Sequence, residues 1–171
     1  MANSIVHRRW LFELAKVPEK YVIHELHRAY PDGKIDVIRE QAVLESFDTI
    51  IFQYPIFWFN YPPLLKQWPD EVLVQGWAFG TDNEYKLKGK KIKVAVSAGI
   101  VRDQHQPDGE CQYTMDQFLA PFEFTYKYVK ADYRPHLVLC DWNSMGQLNV
   151  WKIVPLTILI KLIPFRPGAN A

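Results

Sequence analysis

The side chains that could carry chemistry in this chain are few, and they are scattered. Five histidines stand at positions 7, 24, 27, 105 and 136, at neither metal-ligand nor triad spacing. A single histidine of this kind is more often a surface or loop residue than a catalyst. No nucleophile elbow, phosphate-cradling glycine loop or dinucleotide fingerprint occurs. Paired carboxylates are not concentrated where the strand-end loops would form a site. Cys111 and Cys140 read as two reduced thiols of a cytosolic protein, with no metal-type spacing. What the chain does concentrate is flat aromatic surface. Residues 52–68, FQYPIFWFNYPPLLKQW, interleave Phe, Tyr and Trp with stiffening prolines.

A site rich in aromatic walls and backbone groups, but poor in titrating side chains, suits a cofactor that brings its own chemistry. A flavin fits. Its ring is planar, needs a stacked apolar wall on one side, and gains from backbone N–H groups that stabilise charge developing on reduction. The alternative is that these aromatics are core packing or a partner-binding patch.

The elements that must position this loop follow from composition and pattern. The chain has 171 residues, 49% apolar and 23% charged, enough for one domain with a full core. A net charge of +1 gives no electrostatic reason to expect nucleic acid or an acidic membrane as partner. Ser4 caps a helix that Pro18 ends. Residues 21–26 read as a strand, 27–36 as a loop and 37–47 as a helix. Residues 49–55, TIIFQYP, read as a strand buried on both faces. Pro63 opens the next helix, and Pro69 predicts a kink or a second start. Residues 90–99 form a strand, and 100–113 a mobile polar loop over a site. Residues 114–129 form a helix interrupted at Pro121, and 135–142 the last clear strand. Alternating helices and strands argue for a parallel sheet covered on both faces. Ligands then bind beyond the carboxyl ends of the strands, where PIFWFNYP, SAGIVRDQH and DWNS share one rim.

The stretch IIFQYPIFWFNYPPLLKQWPDEVL resembles the motif of the flavodoxin-like NAD(P)H:quinone oxidoreductases. That family includes DT-diaphorase, the modulator-of-drug-activity proteins, general stress protein 14 and ancillary oxidoreductases of potassium-efflux systems. SIVHRRWLFEL, EQAVLESFDTI, GWAFG, LKGKKIKVAVSAG and YTMDQFLAPFEFTYKYV resemble its flanking pieces in order. The resemblance runs from about residue 4 to 145 and is strongest to the short bacterial branch. It implies a flavodoxin-like three-layer α/β sandwich, FMN or FAD as cofactor, and NAD(P)H as co-substrate. It implies ping-pong hydride transfer through flavin N5 to a quinone or similar acceptor, in a cytoplasmic homodimer. By position, Pro55, Ile56, Phe57, Trp58 and Phe59 hold the flavin ring, partly through backbone N–H groups. Ser97, Ala98, Gly99 and Ile100 form the second flavin loop. Ser4, Ile5 and Val6 open the helix whose N-terminus receives the flavin phosphate. His105 falls where relatives place a Tyr facing substrate, and could donate to a quinone oxygen. Gly76, Trp77 and Ala78 match a strip that closes the partner subunit's substrate pocket.

Two features depart from that pattern. Relatives carry a first strand and a His-Pro loop before the helix at Ser4, and that strand is central in the order 2-1-3-4-5. Here Met1 nearly abuts the helix, so a flavodoxin-like domain over 1–145 is expected to lack its central strand and half of its phosphate loop. Flavin binding would then be weak, or the chain a non-catalytic ancillary subunit. Residues 146–171 form an atypical apolar segment without Asp or Glu, like a frameshifted or replaced tail. The run VWKIVPLTILIKLIPF is too short and too interrupted for a membrane span. It reads as a buried or mispaired segment. The alternative is that IVPLTILIKLI enters the sheet at the vacant place, starting no earlier than Leu156 because of Pro155.

Overall fold

The computed structural model describes residues 5–80, 85–140 and 157–161. In chain order the elements are α1 (Ile5–Leu14), β1 (Tyr21–Glu25), α2 (Leu26–Ala29), α3 (Val37–Glu45), β2 (Thr49–Pro55) and α4 (Pro63–Val72). They continue with β3 (Lys91–Ser97), α5 (Met115–Tyr128), β4 (Asp132–Tyr133), β5 (Leu137–Leu139) and β6 (Thr157–Lys161). The stretch read as a loop after β1 begins with the single turn α2. Helices α4 and α5 run unbroken through Pro69 and Pro121. In α5 the Thr125 hydroxyl donates to the Pro121 carbonyl at 2.9 Å. Capping follows the sequence signals. Asp36 accepts from the Arg39 N–H, and Thr114 with Gln117 forms a reciprocal capping box.

The sheet runs β1-β6-β2-β3-β4, with β5 also on β3. Strands β2 and β3 pair in parallel from Thr49↔Lys91 to Pro55↔Ser97. β4 and β5 extend the same parallel sense. Strand β2 is largely buried on both faces, as a central parallel strand must be. Ile50, Phe52 and Tyr54 face α3, α4 and α5, where Phe52 meets Trp68, Phe122 and Tyr126 at ring separations of 5.7, 5.2 and 5.0 Å. The opposite face carries α1. There Trp10 and Leu14 lie over Ile51, Gln53 and Ala95 around a cavity of about 450 Å³.

The centre of the sheet is where the structure decides between the two readings of the tail. β6 lies between β1 and β2, antiparallel to both: Ile160 pairs with Val22 on one side and Ile50 on the other. This is the place that the order 2-1-3-4-5 gives to its first strand. β6 starts at Thr157, consistent with a strand that begins no earlier than Leu156. The backbone groups that face each other across the β1–β2 gap are thereby paired. The sheet is therefore parallel except at this strand.

The outer strand β1 is also clamped by side chains. Glu40 of α3 is fully buried and accepts from His24 Nε2 of β1 at 2.8 Å, Tyr30 OH at 2.5 Å and Trp68 Nε1 of α4 at 2.8 Å. Burial pushes its pKa up, but these donors outweigh it and hold the carboxyl below the usual carboxylate range. Among the described residues no helix is long and apolar enough to cross a membrane.

Candidate functional site

At the carboxyl end of β2 the chain makes a tight reversal. Phe57 N–H donates to the Asn60 carbonyl at 2.8 Å, and Asn60 N–H returns a bond of 3.0 Å. The two residues between, Trp58 and Phe59, have φ of 47° and 63°. Left-handed φ at both central positions marks a type I′ turn, which normally takes Asn-Gly. Two bulky aromatics here cost about 1–2 kcal/mol each. Backbone strain of this kind collects at functional sites.

Hydrogen-bond accounting shows what the turn offers. Ile56 N–H donates to the Ser97 carbonyl at 2.9 Å, which ties the loop after β2 to the loop after β3. Phe57 N–H is used within the turn. Among the described residues, the N–H groups of Trp58, Phe59 and Ile100 make no internal bond. Of the expected ring-holding stretch, Trp58 and Phe59 therefore carry the free donors, and Ile56 and Phe57 do not. Trp58 is 90% exposed, while Phe59 stacks on Phe118 of α5 at 5.2 Å. In the second loop Ser97 and Ala98 are buried, and Ala98 N–H donates to Leu139.

Helix α1 aims its amino end at the same rim. His7, in its first turn, lies 2.8 Å from Ser97 Oγ, and Gln53 Nε2 donates to the His7 carbonyl at 3.4 Å. The opposite end, at Leu14, lies near Tyr21 at the start of β1. Ile5 and Val6 thus stand at a helix N-terminus beside both loops, a geometry suited to an anion. Ser4 lies outside the described residues.

His105 is buried, and its Nδ1 donates to the Val101 carbonyl at 3.1 Å. A carbonyl can only accept, so the neutral ring carries its proton on Nδ1 and offers Nε2 as an acceptor. Donation from Nε2 to an acceptor oxygen requires the imidazolium. His105 lines a cavity of about 390 Å³ with Arg102, Thr114, Asp116, His136 and Cys140. It reaches the aromatic turn through Phe118, whose ring meets it edge-on at 6.1 Å. The polar loop expected to be mobile folds back on itself. Cys111 N–H and Glu110 N–H both return to Gln104, and Gly109 is pressed so close that a Cβ would lie 2.6 Å from the Gln104 carbonyl oxygen.

The flavodoxin-like fold family matches residues 1–150. The chain belongs to that family. General stress protein 14 of Bacillus subtilis (strain 168) is 39% identical over 143 residues, covering 84% of this chain and 81% of that protein. The solved structure of general stress protein 14 from Treponema denticola, in complex with FMN, is 45% identical with a TM-score of 0.78. It covers 80% of this chain and 78% of that one. The structure of an NADPH-quinone reductase from P. pentosaceus is 27% identical with a TM-score of 0.61, covering 71% and 77%.

In a flavodoxin-like sheet the ligand lies beyond the carboxyl ends of the strands at the switch point. The residues there fit a flavin. Two free N–H groups on a strained turn, a third at Ile100, a stacked aromatic pair and a helix N-terminus supply donors and a wall. Gly76, Trp77 and Ala78 stand elsewhere. Trp77 Nε1 donates to Glu45 at the end of α3, and its carbonyl accepts from Lys86. The bond to Glu45, at the end of α3 just before β2, puts this strip at the amino rim of the sheet. Two contributors escaped the sequence reading. His7 stands three residues after Ser4 on the helix, a spacing that could have flagged it. Phe118 had no signal beyond being one of many aromatics.

Proposed function

We propose that this protein is a cytoplasmic, FMN-dependent NAD(P)H oxidoreductase that passes two electrons to a quinone or similar small acceptor. The observation that carries this is the Trp58–Phe59 turn, whose strained backbone leaves two N–H donors without an internal partner beside a stacked aromatic pair. The FMN bound to general stress protein 14 and the reductase activity named for the P. pentosaceus protein support it. A bound flavin would supply two-electron hydride chemistry between a nicotinamide and the acceptor, in ping-pong order. The chain's own part is to hold and shield. The Trp58, Phe59 and Ile100 N–H groups, which have no internal partner, would be the donors to the ring's polar edge. Phe59, backed by Phe118, forms an apolar wall. The amino end of α1, at Ile5 and Val6, would receive the phosphate. His105, held through Nδ1 by the Val101 carbonyl, would line the acceptor side of the site.

A homodimer follows from the same reading. The Gly76–Ala78 strip lies away from its own loops, and a groove of about 470 Å³ between α4 and α5 exposes Phe124 and Tyr128 beside Phe79. Light scattering should report twice the chain mass. The central test is spectroscopic. Protein loaded with FMN should bleach on adding NADPH or NADH and recover its colour on adding a quinone. A protein that takes up no flavin would leave the non-catalytic, ancillary reading in its place.

A further inference from the structure

Beneath the rim, three buried polar residues from three elements meet. His7 of α1 is fully buried, Gln53 of β2 is 1% exposed and Ser97 of β3 is 3% exposed. His7 Nε2 lies 2.8 Å from Ser97 Oγ, its own carbonyl accepts from Gln53, and its ring meets Trp10 edge-on at 5.1 Å. Buried polar groups are costly unless satisfied, and a satisfied network fixes one arrangement. Ser97 is also the residue whose carbonyl binds Ile56 N–H, the link between the two loops. A shift of His7 is therefore passed to the helix end, the β3 loop and the aromatic turn together.

We propose that His7 is a positioning residue of the flavin site, setting the amino end of α1 against Ser97 and so fixing the spacing between the phosphate end and the ring loops. This rests on the function proposed above for the binding of flavin, but not for the packing it describes. Burial pushes the His7 pKa down to about 3, so the ring acts as a neutral hydrogen-bonding group and not as a cation that binds phosphate.

The test compares His7→Gln, whose amide offers both a donor and an acceptor near the place of Nε2, with His7→Leu, which offers neither. In flavin-free protein, hydrogen exchange at Ile56 should quicken about three- to tenfold in His7→Leu, the worth of one neutral hydrogen bond, and return to the wild-type rate in His7→Gln. FMN should bind His7→Leu about three- to tenfold more weakly, and His7→Gln within about twofold of wild type. Adding Ser97→Ala to His7→Leu should not change the Ile56 exchange further. If His7→Leu fails to fold, Ser97→Ala alone should speed that exchange by the same factor. Wild-type exchange in His7→Leu, or equal damage from Gln and Leu, overturns the proposal. Wild-type protein that binds no FMN overturns the function, while the exchange measurements still decide the role of His7.

Discussion

The pair β2–β3 and the strand β6 are both central to the sheet, yet they are assembled in opposite ways. β2 and β3 are parallel, joined through α4, and followed by the loops that build the site. β6 is antiparallel, comes from the far end of the chain, and presents its amino end to the site rim. The first pair shows how a motif carries a site along with it. The second shows that a sheet asks of its centre mainly that backbone groups be paired and apolar faces covered. Direction of the strand is secondary to that demand.

The sharpest way to break this comparison is a proline in the middle of β6. Leu159 pairs with Ile23 on one side and Ile51 on the other. Leu159→Pro removes an N–H between two ladders and should cost about 3 kcal/mol or more. Denaturant unfolding would measure it. Hydrogen exchange should then show β1 losing protection first, with β2 and β3 retaining theirs. An unchanged midpoint would mean that β6 does not hold the centre of the sheet.

The next largest effect is expected at the other clamp on β1. Main-chain bonds tie β1 to the body through β6, whereas His24 ties it through Glu40. Glu40→Gln keeps the volume but brings an NH₂ group toward three donors. It should cost about 2 kcal/mol, the penalty of leaving a buried donor unmet. Combining it with Leu159→Pro tests whether the two clamps share one load. A coupling energy near zero would show that they act independently.

At the site end of β2 the expected change has the opposite sign. Replacing Trp58 with Asn and Phe59 with Gly relieves two left-handed aromatics and, after the lost Phe59–Phe118 stack is subtracted, should stabilise the fold by a net of about 1–2 kcal/mol. The same change removes the stacked wall at Phe59 and should weaken FMN binding. Thermal melts and flavin titration would report the two effects separately. A destabilised double variant would show that Phe59–Phe118 stacking outweighs the strain.

What could be read from the sequence divides along the same line. The strand Thr49–Pro55 and the aromatic loop were legible because a long apolar run and a dense motif occupy adjacent residues. The entry of the tail into the sheet was legible only as one of two options, since β-branched residues and Pro155 limit where a strand can start but not its direction. The strain at Trp58 and Phe59 was hidden, because φ is set by the bond pair between Phe57 and Asn60 and not by residue type. Nothing in the sequence sets Glu40 apart from the other helix carboxylates. Its partners His24, Tyr30 and Trp68 come from separate elements, so their convergence exists only in three dimensions. For His105, the Nδ1 bond to Val101, which decides what Nε2 can do, is a matter of loop geometry and not of residue type.

The smallest effect at neutral pH, and the most specific, concerns His7. Its folded-state pKa is pushed down to about 3 from an ordinary value of 6.5. The unfolded chain therefore binds a proton across this window that the folded chain refuses. By linkage, stability contributed by the neutral ring is fully present above pH 6.5 and drains away as the pH falls toward 3. His7→Gln cannot titrate. It should stay within about 1 kcal/mol of wild type at pH 7, one hydrogen bond's worth, yet lose stability less steeply than wild type between pH 6.5 and 4. The carboxylates contribute equally to both proteins, so the difference between the two curves isolates the imidazole. Parallel curves would mean that the buried site accepts the imidazolium, and with it that α1 is free to shift against Ser97.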